Sequence, residues 1–159
     1  MLSSKNWTTG SGQCLSLGAV AGEIAEHSRK NKKIFIGSDS FISRDKICFV
    51  TAVCLLTERK GGRYYFYKEN LPSGRHEALA SRITEEVRRS IELAEHFMDN
   101  CNIKPEMFEV HLDISPKFAG NKTSKFSDML TGYVQGYGLD YRLKPNAWAS
   151  QTVADKHSK

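Results

Sequence analysis

The stretch Ile34-Phe35-Ile36-Gly37-Ser38-Asp39-Ser40 decides how the rest of the chain reads. Three apolar, strand-favouring residues follow a basic run (Arg29, Lys30, Lys32, Lys33) and lead into Gly-Ser-Asp-Ser. An apolar run bounded by turn formers predicts a buried central strand. Asp39 is then expected at the end of an interior strand. A bare buried carboxylate costs several kcal/mol, so this one must be solvated, hydrogen-bonded or metal-bound. Gly37 and the small Ser38 and Ser40 leave room for a ligand. Two readings meet at Asp39: an acid that binds something, or an Asx-type turn in which its side chain bonds the backbone as the strand ends.

Upstream, Leu17, Val20, Ala21, Ile24 and Ala25 recur at helical spacing and predict an amphipathic helix from Leu15 to about Lys30. Downstream, Phe41 to Lys46 reads as a hairpin connection and Ile47 to Leu56 as a β-prone run. Lys60-Gly61-Gly62-Arg63 then signals a turn before the aromatic strand Tyr64 to Lys68. Three strands joined by short turns predict an antiparallel meander. Pro72 and Gly74 break the chain, and His76 to Asn100 carries a helical stripe of Leu79, Ile83, Val87, Ile91, Ala94 and Phe97 without Gly or Pro. Phe108 to Ile114 is a fourth strand, ended by Ser115-Pro116. Lys117 to Lys125 reads as a mobile basic loop, followed by a helix through Phe126, Met129, Leu130 and Val134 that Ser124 caps. Leu139 to Lys144 is a fifth strand, and Ala147 to about His157 a short last helix or turn.

A length of 159 residues fits one domain spanning 1–159, with residues 1–13 a loose lead-in in which Trp7 is expected to pack. Charged residues make up 26% and hydrophobic ones 40%, as in an ordinary globular protein, while a net charge of +5 leans toward an anionic partner such as nucleic acid. No apolar run approaches the roughly 18 residues of a membrane span, so no membrane partner is expected. Residues 1–13 lack the apolar core of a secretion signal. The four cysteines show no CxxC spacing, so neither a zinc site nor a disulfide framework is expected, and Cys48 and Cys54, in an apolar stretch, are expected to be buried thiols in a reducing cytoplasm.

The order of elements, β-β-β-α-β-α-β-α, resembles the ribonuclease H-like fold: a mixed five-stranded sheet flanked by helices, here with an extra N-terminal helix. IFIGSDSF, Thr84-Glu85-Glu86-Val87, HLDIS, and Leu143 to Ser150 with Val153 to His157 resemble its YkuK-type branch of bacterial proteins. The resemblance covers about residues 34 to 159. It implies acids on the two adjacent parallel central strands (Asp39 and Asp113), one on the long helix and one on the terminal helix (Asp155). For the long helix it favours Glu86, with Glu85 and Glu77 as rivals on the same segment; an acid near a helix start, such as Glu77, is favoured by the dipole anyway.

The chemistry implied is phosphodiester hydrolysis with two Mg²⁺ or Mn²⁺ ions about 3.5–4 Å apart, which act on both sides of the phosphorus. Hard cations take oxygen ligands, and converging carboxylates that would otherwise repel supply them. Asp39, Glu86, Asp113 and Asp155 are therefore the expected catalytic and metal-binding acids. Lys117, Lys122 and Lys125, with Asn121 and Thr123, form a basic loop suited to a phosphate backbone, or simply a solvated loop. His157 is a candidate for proton transfer or phosphate binding, and His111 reads as structural. No RNA-gripping basic segment is present, so preference for an RNA–DNA hybrid does not carry over. Two rivals share the fold: a non-catalytic nucleic-acid-binding protein, and a regulatory protein with a single Mg²⁺ or Ca²⁺ site.

Overall fold

The computed structural model describes residues 2–59 and 61–159. Met1 of the expected lead-in and Lys60 of the expected turn lie outside the described residues. In chain order the elements are β1 (Trp7–Thr9), β2 (Cys14–Leu15), α1 (Leu17–Arg29), β3 (Ile34–Ser43), β4 (Lys46–Thr57), β5 (Gly61–Pro72) and α2 (Leu79–Cys101). They continue with β6 (Phe108–His111), α3 (Ser127–Gln135), β7 (Asp140–Arg142), a π-helical turn (Ala149–Ala154) and α4 (Asp155–Ser158). The strands form one sheet in the order β2-β1-β5-β4-β3-β6-β7. β3, β4 and β5 are the antiparallel meander, and β6 lies parallel to β3, with β7 parallel to β6.

Among the described residues the sheet therefore has seven strands, not five. Of the two additional ones, β1 comes from residues read as a loose lead-in and β2 from Cys14 and Leu15, where the helix was expected to begin. The Ser/Thr/Gly content of the lead-in hid a strand that pairs antiparallel with β5, Thr8 opposite Phe66 and Thr9 opposite Tyr65. Trp7 anchors it, fully buried, its ring edge-on to Tyr67 at 4.9 Å between centroids.

The strands divide two apolar cores by simple alternation. Ile34 and Ile36, Val53 and Leu55, and Tyr65 and Tyr67 point to one face, with Phe108 and Val110. There they meet Val20 and Ile24 of α1, Ile83, Val87, Ile91 and Phe97 of α2, and Leu130 and Val134 of α3. Phe35, Val50, Ala52, Cys54, Tyr64 and Phe66 point to the other face, where the C-terminal segment covers them through Trp148, Ala149, Val153 and Ala154. Burying a side chain such as Phe97 or Ile91 contributes about 1.5–3 kcal/mol, so the three-helix face dominates stability.

Several boundaries move for physical reasons. β3 does not end at Asp39: it runs on to Ser43 in a continuous ladder with β4, Asp39 opposite Val50, and the turn is Arg44-Asp45. The Asx-turn reading of Asp39 falls with it. β6 stops at His111, three residues earlier than expected, so Asp113 lies beyond the strand rather than on it. Ser124 does not cap α3; its hydroxyl donates to the Asn121 carbonyl at 2.7 Å, and a short 3-10 turn over Ser124–Phe126 leads into the helix. The end of the chain is a π-helical turn and one α turn, not a plain helix. The four cysteines are free, Cys54 buried and Cys14 exposed. Among the described residues no helix is long and apolar enough to cross a membrane.

Candidate active site

The ladder between β3 and β6 runs from Ile34 opposite Phe108 to Gly37 opposite His111 and stops there. Beyond that pair β3 continues against β4 alone, while the chain after His111 stays with the opposite neighbour: Leu112 N donates to Arg142 O at 2.9 Å and Lys144 N to Ile114 O at 3.0 Å. A notch opens between the two strands. Asp39 and Asp113 are each two residues past the last pair, Asp39 still on β3 and Asp113 just beyond β6, so both come to its mouth. Glu86 and Asp113 line the crevice there, with Ser38, Ser90 and His111.

Glu86 arrives by a matching of repeats. Ser38 Oγ contacts Ser90 Oγ at 2.8 Å and donates to Thr51 Oγ1 at 3.0 Å, pinning α2 to the sheet through buried hydroxyls. Two residues along a strand advance about 6.8 Å and four along a helix about 6.0 Å, so the next facing pair is Ser40 with Glu86. Ser40 Oγ donates to Glu86 Oε1 at 2.5 Å. Glu85, a step of about 100° around the helix, is turned elsewhere: Arg88 and Arg89 bond it at 2.7–3.0 Å and their charges hold its pKa low despite partial burial. Glu77 precedes α2 and accepts from Ser73 Oγ at 3.2 Å. Of the three glutamates, Glu86 is the one brought to the notch.

The opposite face is set by Gly37. A Cβ there would lie 2.4 Å from Ser150 N and 2.5 Å from the Ala149 carbonyl carbon, so the π-helical turn rests directly on strand backbone. Ala149 N donates to His111 Nδ1 at 3.0 Å. The proton of this imidazole is then on Nε2, which donates to Glu109 Oε1 at 2.9 Å. Arg142 also bonds Glu109, at 2.5 Å. His111 is thus a structural latch, as its sequence context suggests. The turn so fixed delivers α4: Ser158 Oγ donates to Asp39 Oδ2 at 2.8 Å, and Asp155 stands beside the same carboxyl.

The electrostatics follow from that crowding. Asp39, 6% exposed, is pushed up to about 7, first by burial; the Ser158 hydrogen bond opposes the rise, while Asp113 and Asp155 add to it. Glu86, 8% exposed, is pushed up to about 8 by burial and then by the Asp39 charge, with Ser40 opposing. Two lysines absent from the sequence-based site complete the picture: Lys144 Nζ is 3.1 Å from Asp113 Oδ1 and Lys159 Nζ is 2.5 Å from Asp155 Oδ1. The i,i+4 spacing of Asp155 and Lys159 was a readable signal for the second. Each acid is thus held by its own donor. Among the described residues no three His, Cys, Asp or Glu side chains converge as a ready-made metal cage. The donor set is all carboxylate oxygen, which suits a hard divalent cation, and its raised pKa values mark a shortage of positive charge.

The other expected residues lie apart from the acids. Lys117 pairs with Asp128 at 2.9 Å, Lys122 and Lys125 are exposed on the following loop, and Lys125 lies over the Phe126 ring. His157 does not turn to the notch: its Nε2 bonds Tyr64 OH at 2.8 Å and its ring stacks on Phe66 at 3.9 Å.

A family model described as "Ribonuclease H-like" matches residues 17–159. The chain is also similar to the "Uncharacterized protein YkuK" of Bacillus subtilis (strain 168), 26% identical over 149 residues that cover 86% of this chain and 84% of that protein. No solved structure matches the chain.

Proposed function

The chain belongs to the ribonuclease H-like family and is related to YkuK, and from that premise we propose that it is a metal-dependent nuclease hydrolysing phosphodiester bonds. The observation that carries the reading is the placement of Asp39 and Asp113 at equal offsets past the Gly37–His111 pair, with Glu86 and Asp155 supplied from opposite faces of the sheet. In this reading Asp39, Glu86, Asp113 and Asp155 hold two Mg²⁺ or Mn²⁺ ions. Such ions would supply an activated water and a stabilised leaving oxygen. Ser40 and Ser158 orient the Glu86 and Asp39 carboxylates, and Lys144 and Lys159 yield the Asp113 and Asp155 oxygens they now hold. Lys117, Lys122 and Lys125 would contact substrate phosphates outside the notch.

A second reading, a nucleic-acid-binding protein without catalysis, is favoured by one observation: the lysines already neutralise two of the four acids, and no cage stands formed among the described residues. Cleavage of labelled single-stranded RNA, single-stranded DNA and hybrid duplex with Mg²⁺ or Mn²⁺ separates the two. The nuclease reading expects metal-dependent cutting that Asp39→Asn and Asp113→Asn each reduce by at least about 100-fold. Folded protein that cuts nothing in either metal would leave the binding reading in its place.

A further inference from the structure

The loop after Asp113 is more constructed than its composition suggests. Asn121 organises it: its Nδ2 donates to Ser115 Oγ at 2.5 Å, and its Oδ1 accepts from Thr123 N at 3.2 Å and Ser124 N at 3.3 Å. Ser115 N donates to Thr123 Oγ1 at 2.9 Å, closing the base of the loop. At its apex the short 3-10 turn Lys117–Ala119 holds Phe118 out with 91% of its surface in water. Leaving a phenyl ring exposed forgoes the gain of burying it, and this loop is tied down rather than collapsed over the ring. Residues 114–127 contain three lysines and no carboxylate. Across the notch, Phe41 lies two residues beyond Asp39 on the same side of β3 and is 40% exposed. In sequence Phe118 follows Asp113 by five residues, as Phe41 follows Asp39 by two.

We propose that the notch takes nucleic acid whose bases are unpaired, and that Phe118, with Phe41 on the facing bank, is the surface those bases stack on. The proposal rests on the nucleic-acid reading above and narrows its substrate class to single strands. Bases in a duplex are stacked on one another and offer an aromatic side chain no free face; an unpaired base offers one whatever its identity. An exposed ring in a segment with three lysines, one of them (Lys117) paired with Asp128, is an arrangement that grips a single strand by its bases and its backbone together. The lysines alone would hold a duplex equally well.

Fluorescence anisotropy of a labelled 12-nucleotide single strand and of the blunt duplex of the same sequence tests this, with Mg²⁺ present and Asp39→Asn in every chain to keep strands intact. Phe118→Ala, at a fully exposed position, should weaken single-strand binding by about 5- to 150-fold and leave duplex binding within about twofold. Phe118→Trp should retain affinity, with its indole emission quenched by the single strand and not by the duplex. Lys122→Ala should weaken both ligands and flatten the salt dependence by about 0.7–0.9, a slope that Phe118→Ala leaves unchanged. Cleavage by chains with Asp39 intact gives the second readout. Unaltered single-strand binding by Phe118→Ala, or an equal loss on both ligands, overturns the stacking proposal while cutting of either substrate keeps the nuclease reading. A chain that neither binds nor cuts any nucleic acid overturns both.

Discussion

The two faces of the sheet are built on different principles. Under α1, α2 and α3 lies a broad apolar core in which large side chains interlock, punctuated by the Ser38–Thr51–Ser90 hydroxyls. Under the C-terminal segment lies a small core of Val50, Ala52, Cys54, Phe66 and Ala149, where backbone rests on backbone at Gly37. Glu86 comes from the first face, Asp155 and Ser158 from the second, and the notch beside β6 is where they meet. The broad face supplies stability; the narrow face supplies position. Acids on a sheet closed by β6 along its whole length would stay on separate sides.

That division can be broken at its strongest point first. Phe97→Ala, in the broad core, should cost about 3–5 kcal/mol of unfolding free energy by urea titration. Gly37→Ala should cost less, on the order of 1–3 kcal/mol, because the added methyl displaces the π-helical turn rather than the helices. Hydrogen exchange would then show protection lost over residues 147–158 and kept in α2. Uniform loss of protection would mean that the two faces are one cooperative unit.

The smallest effect sharpens the electrostatic side. Asp39 carries a pKa raised from 3.8 to about 7, so between those values the folded state binds more protons than the unfolded one. Stability therefore falls as pH rises through that window and levels off above it. Asp39→Asn removes this penalty and should stabilise the metal-free protein by roughly 1–2 kcal/mol at pH 8 and by nothing at pH 3.5. Thermal melts should show Mg²⁺ or Mn²⁺ raising the Tm of the wild-type chain at pH 8 and not that of the variant. Equal melts at both pH values would remove the strained carboxylate from the account.

How much of this was legible in the sequence follows the same division. The broad face is periodic, so α1, α2 and the meander read directly from Val20 and Ile24, from Ile83 to Phe97, and from the β-branched run of β4. Asp39 was legible as an acid on a central strand; Asp113 was read on one too, but β6 ends two residues before it. Their equal offset from the last ladder pair was not, because it depends on where the β3–β6 ladder stops, and Leu112 and Ile114 continue the apolar alternation past that pair. Glu86 rather than Glu85 follows from helical phase once Ser38 is known to meet Ser90, which is a tertiary contact. β1 was hidden by a Ser/Thr/Gly-rich composition whose one anchor was Trp7. The narrow face carries little periodicity: the π-helical turn owes its place to a missing side chain at Gly37, and the pull of Tyr64 and Phe66 on His157 is invisible to spacing.

The early end of β6 has a mechanical meaning as well. Strands in a ladder are held about 4.8 Å apart by their hydrogen bonds, and groups mounted on them inherit that spacing. Past Gly37 and His111 the gauge is released: Asp39 rides on the meander, while the segment bearing Asp113 is bolted to Arg142 and Lys144 on the far side. The gap between the two carboxylates works like the jaw of an adjustable wrench. It would tighten on a small, highly charged object or relax onto Ser158 and Lys144 without breaking one rung of the sheet.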